Sequence, residues 1–323
     1  MDLLALLILL SGLLAGWTLG ANDAANSMGT AVGARVRTIR EAVIIVGVFS
    51  LAGALLYGHR VINTIGKGIV PLDQLDSDLS TVIALAAMLA AGGWLFAATY
   101  LKLPVSTTHS IVGAVAGAGL AAGNVPIVWA KLLDIVSAWV LTPVGGALVA
   151  YVLYQLLRLL VLKRFNPPDK VWVWPLTLSG MYMAFSWGAN DVANATGLMV
   201  GVGIVSPFVA ALIGGVAIVV GIGTWGYRVM ETVGTRITNL LPAMAFIAEV
   251  GAALNVHLYT ALGLPVSTTH SIVGAIFGVG LVHGRKGIDV RTVRDIVLAW
   301  AATPVAAGVV AFVVYAILSR IFL

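Results

Sequence analysis

The chain has 323 residues, 60% of them hydrophobic and 10% charged, with 37 glycines, no cysteine and a formal net charge of +5. Together with a mean hydropathy of +1.04, this excludes a soluble globular domain and places the chain in a lipid bilayer. The lack of cysteine excludes a disulfide framework, a thiolate metal site and a cysteine nucleophile. The excess of Lys and Arg falls in short loops with no nucleic-acid-binding motif, so it reports topology and not a nucleic acid partner.

Crossing the hydrocarbon takes about 20 mostly apolar residues per helix. The first such stretch, 3–20, has no basic region before it and is read as a retained helix, not a cleaved signal. It runs into Gly20–Asn26, GANDAAN, and then into a loop carrying Arg35, Arg37 and Arg40. Apolar stretches follow at 41–58 and 79–101, and the segment 103–114 reads LPVSTTHSIVGA. A helix over 106–122 and a long one over 127–157, interrupted by Thr142-Pro143, complete the first half. A basic, proline-containing linker at 158–171 leads to matching stretches at 173–190, 205–225, 240–262, 267–283 and 294–320. These segments are too long and too little alternating for barrel strands, so the fold class is an all-α polytopic bundle. It has ten to twelve spans if short or re-entrant pieces are counted.

The second half repeats the first. Residues 264–275 read LPVSTTHSIVGA again and Gly188–Asn194 reads GANDVAN, while Trp139-x-x-Thr142-Pro143 is answered by Trp300-x-x-Thr303-Pro304. The offset is 168 early and 161 late, giving repeat one at 1–157, the linker at 158–171 and repeat two at 172–323. Loop charges decide their relative orientation, because short cytoplasmic loops collect Lys and Arg. The loop with Arg35, Arg37 and Arg40 has an uncharged counterpart at 201–207. The later loop of repeat two holds Arg285, Lys286, Arg291 and Arg294, against Lys131 alone in repeat one. Equivalent loops therefore lie on opposite sides. Five crossings per repeat invert the second copy, put the linker in the cytoplasm and leave both termini outside. Inverted repeats imply a transporter with its site near the bilayer midplane, built on broken helices.

Each LPVSTTHS segment has the signature of a helix start, with proline ending what precedes it and Ser or Thr available as N-cap. Ser106, Thr107 and Thr108, and Ser267, Thr268 and Thr269, then gather hydroxyls around free backbone N–H groups and a positive dipole end. That is an anion site without a cationic side chain, suited to a tetrahedral oxyanion such as phosphate or sulfate. Taken singly, such a cluster also satisfies backbone at a helix break or ties helices together. The other device sets Asn22 and Asn26 four apart beside Asp23, and repeats this as Asn190, Asp191 and Asn194. Carboxylate and amide oxygens suit a hard cation such as Na⁺. Two carboxylates near an anion site repel the anion unless cations or protons arrive with it, and such mutual dependence is the physical basis of symport.

Smaller features carry less. Gly113-x-x-x-Gly117 and Gly274-x-x-x-Gly278 permit close helix packing. His109 and His270 either relay protons or orient the neighbouring hydroxyls. Lys102, unmatched in repeat two, snorkels to the interface. Trp172, Trp174 and Trp225 are expected as interfacial anchors. Asp134 and Asp295 match across the repeats and either pair with loop cations or support oligomerisation. An anion channel would use the same helix starts without needing buried carboxylates, and a hydrolase using Ser106, His109 and Asp23 lacks a nucleophile turn.

The duplicated GANDAAN/GANDVAN and PVSTTHS segments, four motif copies in order across nearly the whole chain, resemble the inorganic phosphate transporter (PiT) family. The resemblance implies an inverted-repeat, dimeric carrier in a prokaryotic inner membrane, no enzyme and without cofactor, taking up phosphate with Na⁺ as coupling ion. Some relatives carry sulfate or use protons. It implies that Ser106, Thr107, Thr108, Ser267, Thr268 and Thr269, with Asn26 and Asn194, line the phosphate. Asn22, Asp23, Asn190 and Asp191, with Thr107 and Thr268, would hold sodium.

Overall fold

The computed structural model describes residues 3–100, 105–165, 167–226, 240–282 and 290–323, apart from the side chains of Thr99 and of 290–297. The described residues are almost entirely helical. In chain order they form α1 (Leu3–Asp23), α2 (Ala25–Gly33), α3 (Ile39–Tyr57), α4 (His59–Asn63), α5 (Ser77–Tyr100), α6 (Thr107–Ala122) and α7 (Trp129–Leu157). After the short α8 (Lys163–Phe165) come α9 (Val173–Gly201), α10 (Pro207–Gly221), α11 (Pro242–Ala261), α12 (Thr268–Leu281) and α13 (Val290–Phe322). The helices form two inverted repeats, in which α1–α2 answers α9, α3 answers α10, α5 answers α11, α6 answers α12 and α7 answers α13.

The repeats interlock. Within each, the first helix packs on the third, α1 on α5 and α9 on α11, and the third packs on the fourth. The remaining long helices cross over: α3 lies against α9 and α10 against α1, while α6 runs along α13 and α12 along α7. Glycine makes the last two pairings close. A Cβ at Gly113 would overlap the Pro304 backbone, and one at Gly117 the Gly308 backbone; Gly274 and Gly278 meet Pro143 and Ala147 in the same way. The small-residue spacing in the sequence is thus a contact between repeats.

Among the described residues seven helical stretches are long and apolar enough to cross a membrane, including Leu3–Gly33, Ser77–Ala98 and Leu298–Phe322. The chain is an integral membrane protein. Ten stretches of spanning length were expected, and the difference has two causes. Helices α6 and α12 have 16 and 14 residues, about 24 and 21 Å against ~30 Å of hydrocarbon. They are shorter than the hydrocarbon is thick and begin inside the bundle, at buried caps. Helix α9, rich in Gly, Asn, Ser and Thr, is long but less apolar.

The first helix of each repeat also continues well past its expected end. The stretches predicted at 3–20 and 173–190 were bounded by the GAND motifs, but those motifs lie mid-helix. Repeat one runs on through α2 to Gly33 after a break at Ala24, and α9 runs unbroken to Gly201. Polar residues ended the hydropathy signal without ending the helix, because Asp23, Asn26, Asp191 and Asn194 find hydrogen-bond partners in the bundle.

Loop positions fit a common frame. Arg37, after α2, donates to Thr177 Oγ1 at 2.9 Å, lies 5.0 Å from the Trp174 ring and pairs with Glu41. The Arg35–Arg40 turn therefore shares a face with the linker and the start of α9. Arg158, at the other end of the linker, reaches the Val282 carbonyl just beyond α12. On the opposite face Arg60 donates to the Ala261 carbonyl at the end of α11. Thr38 and Glu41 form a capping box that starts α3. In the turn before it Arg35 has a φ of 57°, and its counterpart in repeat two is Gly203, at 76°.

Of the expected anchors, Trp174 is exposed, but Trp172 is buried against Phe246. Trp225 is half-buried and packs on Trp17 and Phe96. Asp134 is exposed. Lys102, Arg285 and Lys286 lie outside the described residues, as do the side chains of Arg291, Arg294 and Asp295.

Candidate functional site

Both helix starts form as their sequence requires. Ser106 and Ser267 are N-caps in extended conformation, and their hydroxyl oxygens accept the N–H of His109 at 3.2 Å and of His270 at 3.3 Å. Capping uses one lone pair of each hydroxyl and leaves its hydrogen to donate. In repeat two the stretch before the cap is held open by Asn190. Its Nδ2 donates to Thr260 Oγ1 at 2.9 Å and to the Leu264 carbonyl at 3.2 Å, and its Oδ1 accepts the Val266 N–H at 3.2 Å. Asn22 is buried at the matching place in repeat one, where the positions equivalent to Thr260 and Leu264 are not described.

The carboxylates and amides meet the same hydroxyls. Thr107 Oγ1 donates to Asp23 Oδ2 at 2.9 Å, and Thr268 Oγ1 to Asp191 Oδ2 at 3.0 Å. These bonds lie within a repeat; the asparagines cross between repeats. Asn26 Nδ2 donates to Thr269 Oγ1 at 2.9 Å and to Thr268 Oγ1 at 3.4 Å. Asn194 Nδ2 donates to Thr108 Oγ1 at 3.1 Å and to Thr107 Oγ1 at 3.3 Å. Thr108 also donates to the Val266 carbonyl at 3.0 Å, and Asn194 to Asp191 Oδ1 at 3.4 Å.

Every polar residue named for the site on sequence grounds is buried, with Asp23 2% and Asp191 0% exposed. Asp23, Asn26, Thr107, Thr108, Asp191, Asn194, Thr268 and Thr269 form one hydrogen-bonded cluster at the meeting of α1–α2, α6, α9 and α12. No Lys or Arg pairs with Asp23 or Asp191: the ion pairs among the described residues are Arg37–Glu41 and Lys67–Asp73. Two carboxylates, two amides and four hydroxyls thus come together, and among the described residues no positive side chain pairs with them. Oxygens from Asp, Asn and Thr, offered without imidazole or thiolate, match a hard monovalent or divalent cation. Helix N-termini and hydroxyls match an anion.

Two buried residues in α11 escaped the sequence reading. Glu249, 0% exposed, accepts from Ser179 Oγ at 2.7 Å and from Thr30 Oγ1, and no Lys or Arg pairs with it among the described residues. Asn255 Nδ2 donates to Ser271 Oγ and to the Thr142 carbonyl, both at 2.9 Å. Neither is duplicated, since the 161-residue offset puts Met88 and Trp94 at their places in repeat one. A solitary charge inside the stretch 240–262 was the signal available for Glu249.

The sequence profile of the phosphate transporter family matches residues 19–176 and 165–311, covering both halves of the site. The chain belongs to the phosphate transporter family. It is 35% identical to the provisionally named phosphate permease PF1020 of Pyrococcus furiosus, over 97% of this chain and 96% of that one. It is 32% identical to inorganic phosphate transporter 2-1, chloroplastic, of Arabidopsis thaliana, over 93% of this chain and 70% of that one. Among solved structures it is similar to one described as the sodium-dependent phosphate transporter, with a TM-score of 0.92 and 32% identity, over 99% of this chain and all of the other. This member of the phosphate transporter family therefore carries its polar cluster where two inverted repeats interlock.

Proposed function

We propose that the chain accumulates inorganic phosphate by symport with Na⁺. One observation carries this reading: Asp23 and Asp191 are buried beside two helix starts, and among the described residues no Lys or Arg pairs with either. An anion entering alone meets two carboxylates in a medium where charges interact strongly. Na⁺ held by those carboxylates, with Thr107, Thr268, Asn22 and Asn190, changes the sign of the local field. Phosphate is then met by Ser106, Thr107, Thr108, Ser267, Thr268 and Thr269, the helix N-termini, and Asn26 and Asn194. Thr107 and Thr268 already bond to both the carboxylates and the asparagines. They are the residues through which each ligand senses the other.

The division into residues 1–157, a linker 158–171 and residues 172–323 belongs to the same proposal. So do a prokaryotic inner-membrane location with both termini outside, and action as a homodimer. The shared face of the Arg35–Arg40 turn and the linker, set by Arg37 against Thr177 and Trp174, supports the cytoplasmic assignment of that face. The similarity to a sodium-dependent phosphate transporter supports Na⁺ as the coupling ion.

The test is uptake of labelled phosphate by purified protein in proteoliposomes, under an inward Na⁺ gradient, an inward proton gradient or neither, with sulfate as competitor. Accumulation above equilibrium under the Na⁺ gradient is expected. Accumulation driven by protons alone would transfer the coupling to protons. Equilibration indifferent to either gradient would make the protein a channel, and preferential sulfate uptake would replace the substrate.

A further inference from the structure

We propose that His109 and His270 are positioning residues that clamp the helix start of one repeat to the proline-containing last helix of the other. Each imidazole replaces a hydrogen-bond donor that a proline has removed. In an α-helix the carbonyl of residue i accepts the N–H of residue i+4, and proline has no N–H to give. Pro143 inside α7 therefore strands the carbonyl of Trp139, and Pro304 inside α13 strands that of Trp300. Both carbonyls are met by an imidazole from the opposite repeat. His109 Nδ1 lies 3.0 Å from the Trp300 carbonyl oxygen, and His270 Nδ1 lies 3.5 Å from that of Trp139. A carbonyl only accepts, so each ring is the tautomer with its hydrogen on Nδ1.

The rings are fixed in a crossed arrangement. His109 lies against Trp139, tilted by 35° with centroids 3.8 Å apart, while bonding to Trp300; His270 stacks on Trp300 at 3.5 Å while bonding to Trp139. The two imidazoles meet edge to face at 4.5 Å. Trp139 is held a second time, its indole N–H donating to the Pro265 carbonyl at 3.3 Å. The backbone N–H of each histidine is the donor that its N-cap serine receives. One residue thus closes the cap from which Thr107 and Thr108, or Thr268 and Thr269, project, and ties that cap to the other repeat.

A proton relay requires a partner on each side of the ring. Among the described residues neither Nε2 has one, and no hydrogen bond joins either ring to Asp23, Asp191 or the site hydroxyls. The clamp accounts for what the rings do touch.

The proposal requires rescue that is specific to the pair. His109→Phe keeps the ring and removes the donor, and Pro304→Ala returns a backbone N–H to the Trp300 carbonyl. In detergent, His109→Phe is expected to lower the thermal midpoint by about 2–4 °C. In proteoliposomes it is expected to raise the phosphate KM several-fold with less effect on kcat. Pro304→Ala in the same chain restores both values and Pro143→Ala restores neither. His270→Phe behaves in mirror image and is rescued by Pro143→Ala, with a smaller effect because its bond is longer. His109→Asn, which keeps an N–H near the Nδ1 position, stays closer to the wild type and covers the case in which the phenylalanine variant does not fold. Equal rescue by both proline substitutions, an asparagine variant as impaired as the phenylalanine one, or a phenylalanine variant identical to the wild type would each overturn the clamp. So would a loss of proton-driven uptake in His109→Phe that Pro304→Ala leaves unrepaired. The KM readout rests on the transport reading, but the midpoint does not. A wild type that fails to carry phosphate sinks that reading and leaves the paired rescue of the midpoint to decide this one.

Discussion

Thr107 and Thr268 are the most heavily shared side chains of the site, each giving its hydrogen to a carboxylate and its lone pairs to an asparagine of the other repeat. Thr107→Val preserves shape but leaves Asp23 and Asn194 each short of a partner. Losing hydrogen bonds to a charged, buried group costs about 1–3 kcal/mol, so phosphate KM should rise by roughly tenfold or more, with Thr107→Ser near the wild type. Michaelis kinetics of the two variants side by side check this. Asp23→Asn and Asp191→Asn remove the charge that, on the proposed reading, recruits the cation, while keeping side-chain size. Each is expected to lower Na⁺-driven accumulation by at least about tenfold, equivalent to ~1.4 kcal/mol. Unchanged Na⁺ dependence in both would contradict the assignment. At this scale duplication is what made the site legible, because a polar heptad written twice in an apolar chain has to be built twice. Glu249 and Asn255 are written once, and their burial depends on partners such as Ser179 and Thr142 that lie far away in the chain.

The short helices α6 and α12 and the proline-containing helices α7 and α13 are where local chemistry and packing meet. Gly113 and Gly274 place the backbones of α6 and α12 directly on Pro304 and Pro143, and a methyl group there would overlap backbone that cannot move aside. Gly113→Ala and Gly274→Ala are expected to cost about 1–3 kcal/mol through overpacking. Gly280→Ala, with nothing within 4 Å, should be tolerated; thermal midpoints of the three variants decide the matter. Inverted symmetry yields a second expectation at this scale. Arg35 holds a left-handed conformation where repeat two has Gly203, and such a conformation costs a residue with a Cβ about 1 kcal/mol. Arg35→Gly should therefore raise the thermal midpoint slightly. Helix existence was readable from hydropathy and from proline and serine punctuation. Helix ends were not: the GAND motifs are polar enough to end an apolar run, yet Asn194 and Asn26 find threonine partners that let the helix continue.

Across the whole molecule, crossing contacts make neither repeat complete without the other. Each helix start belongs to one repeat, but the asparagine that donates to its threonines, the long helix that runs along it and the carbonyl met by its histidine belong to the other. Loop charges revealed the inversion because lipid forces basic residues to one side. The interlocking was hidden, since nothing in a hydropathy pattern says which helix lies beside which. On the proposed symport reading, a site assembled this way, with carboxylates and anion donors joined through shared threonines, ties the two ligands together thermodynamically. Linkage requires the effect to be reciprocal. The central claim, that the anion is admitted only with its cation, is tested most directly by equilibrium binding of phosphate to the purified protein in Na⁺ and in a large organic cation. Phosphate should bind at least about tenfold more tightly in Na⁺, and phosphate should tighten Na⁺ binding by the same factor. Equal phosphate affinity in the two media would contradict the account.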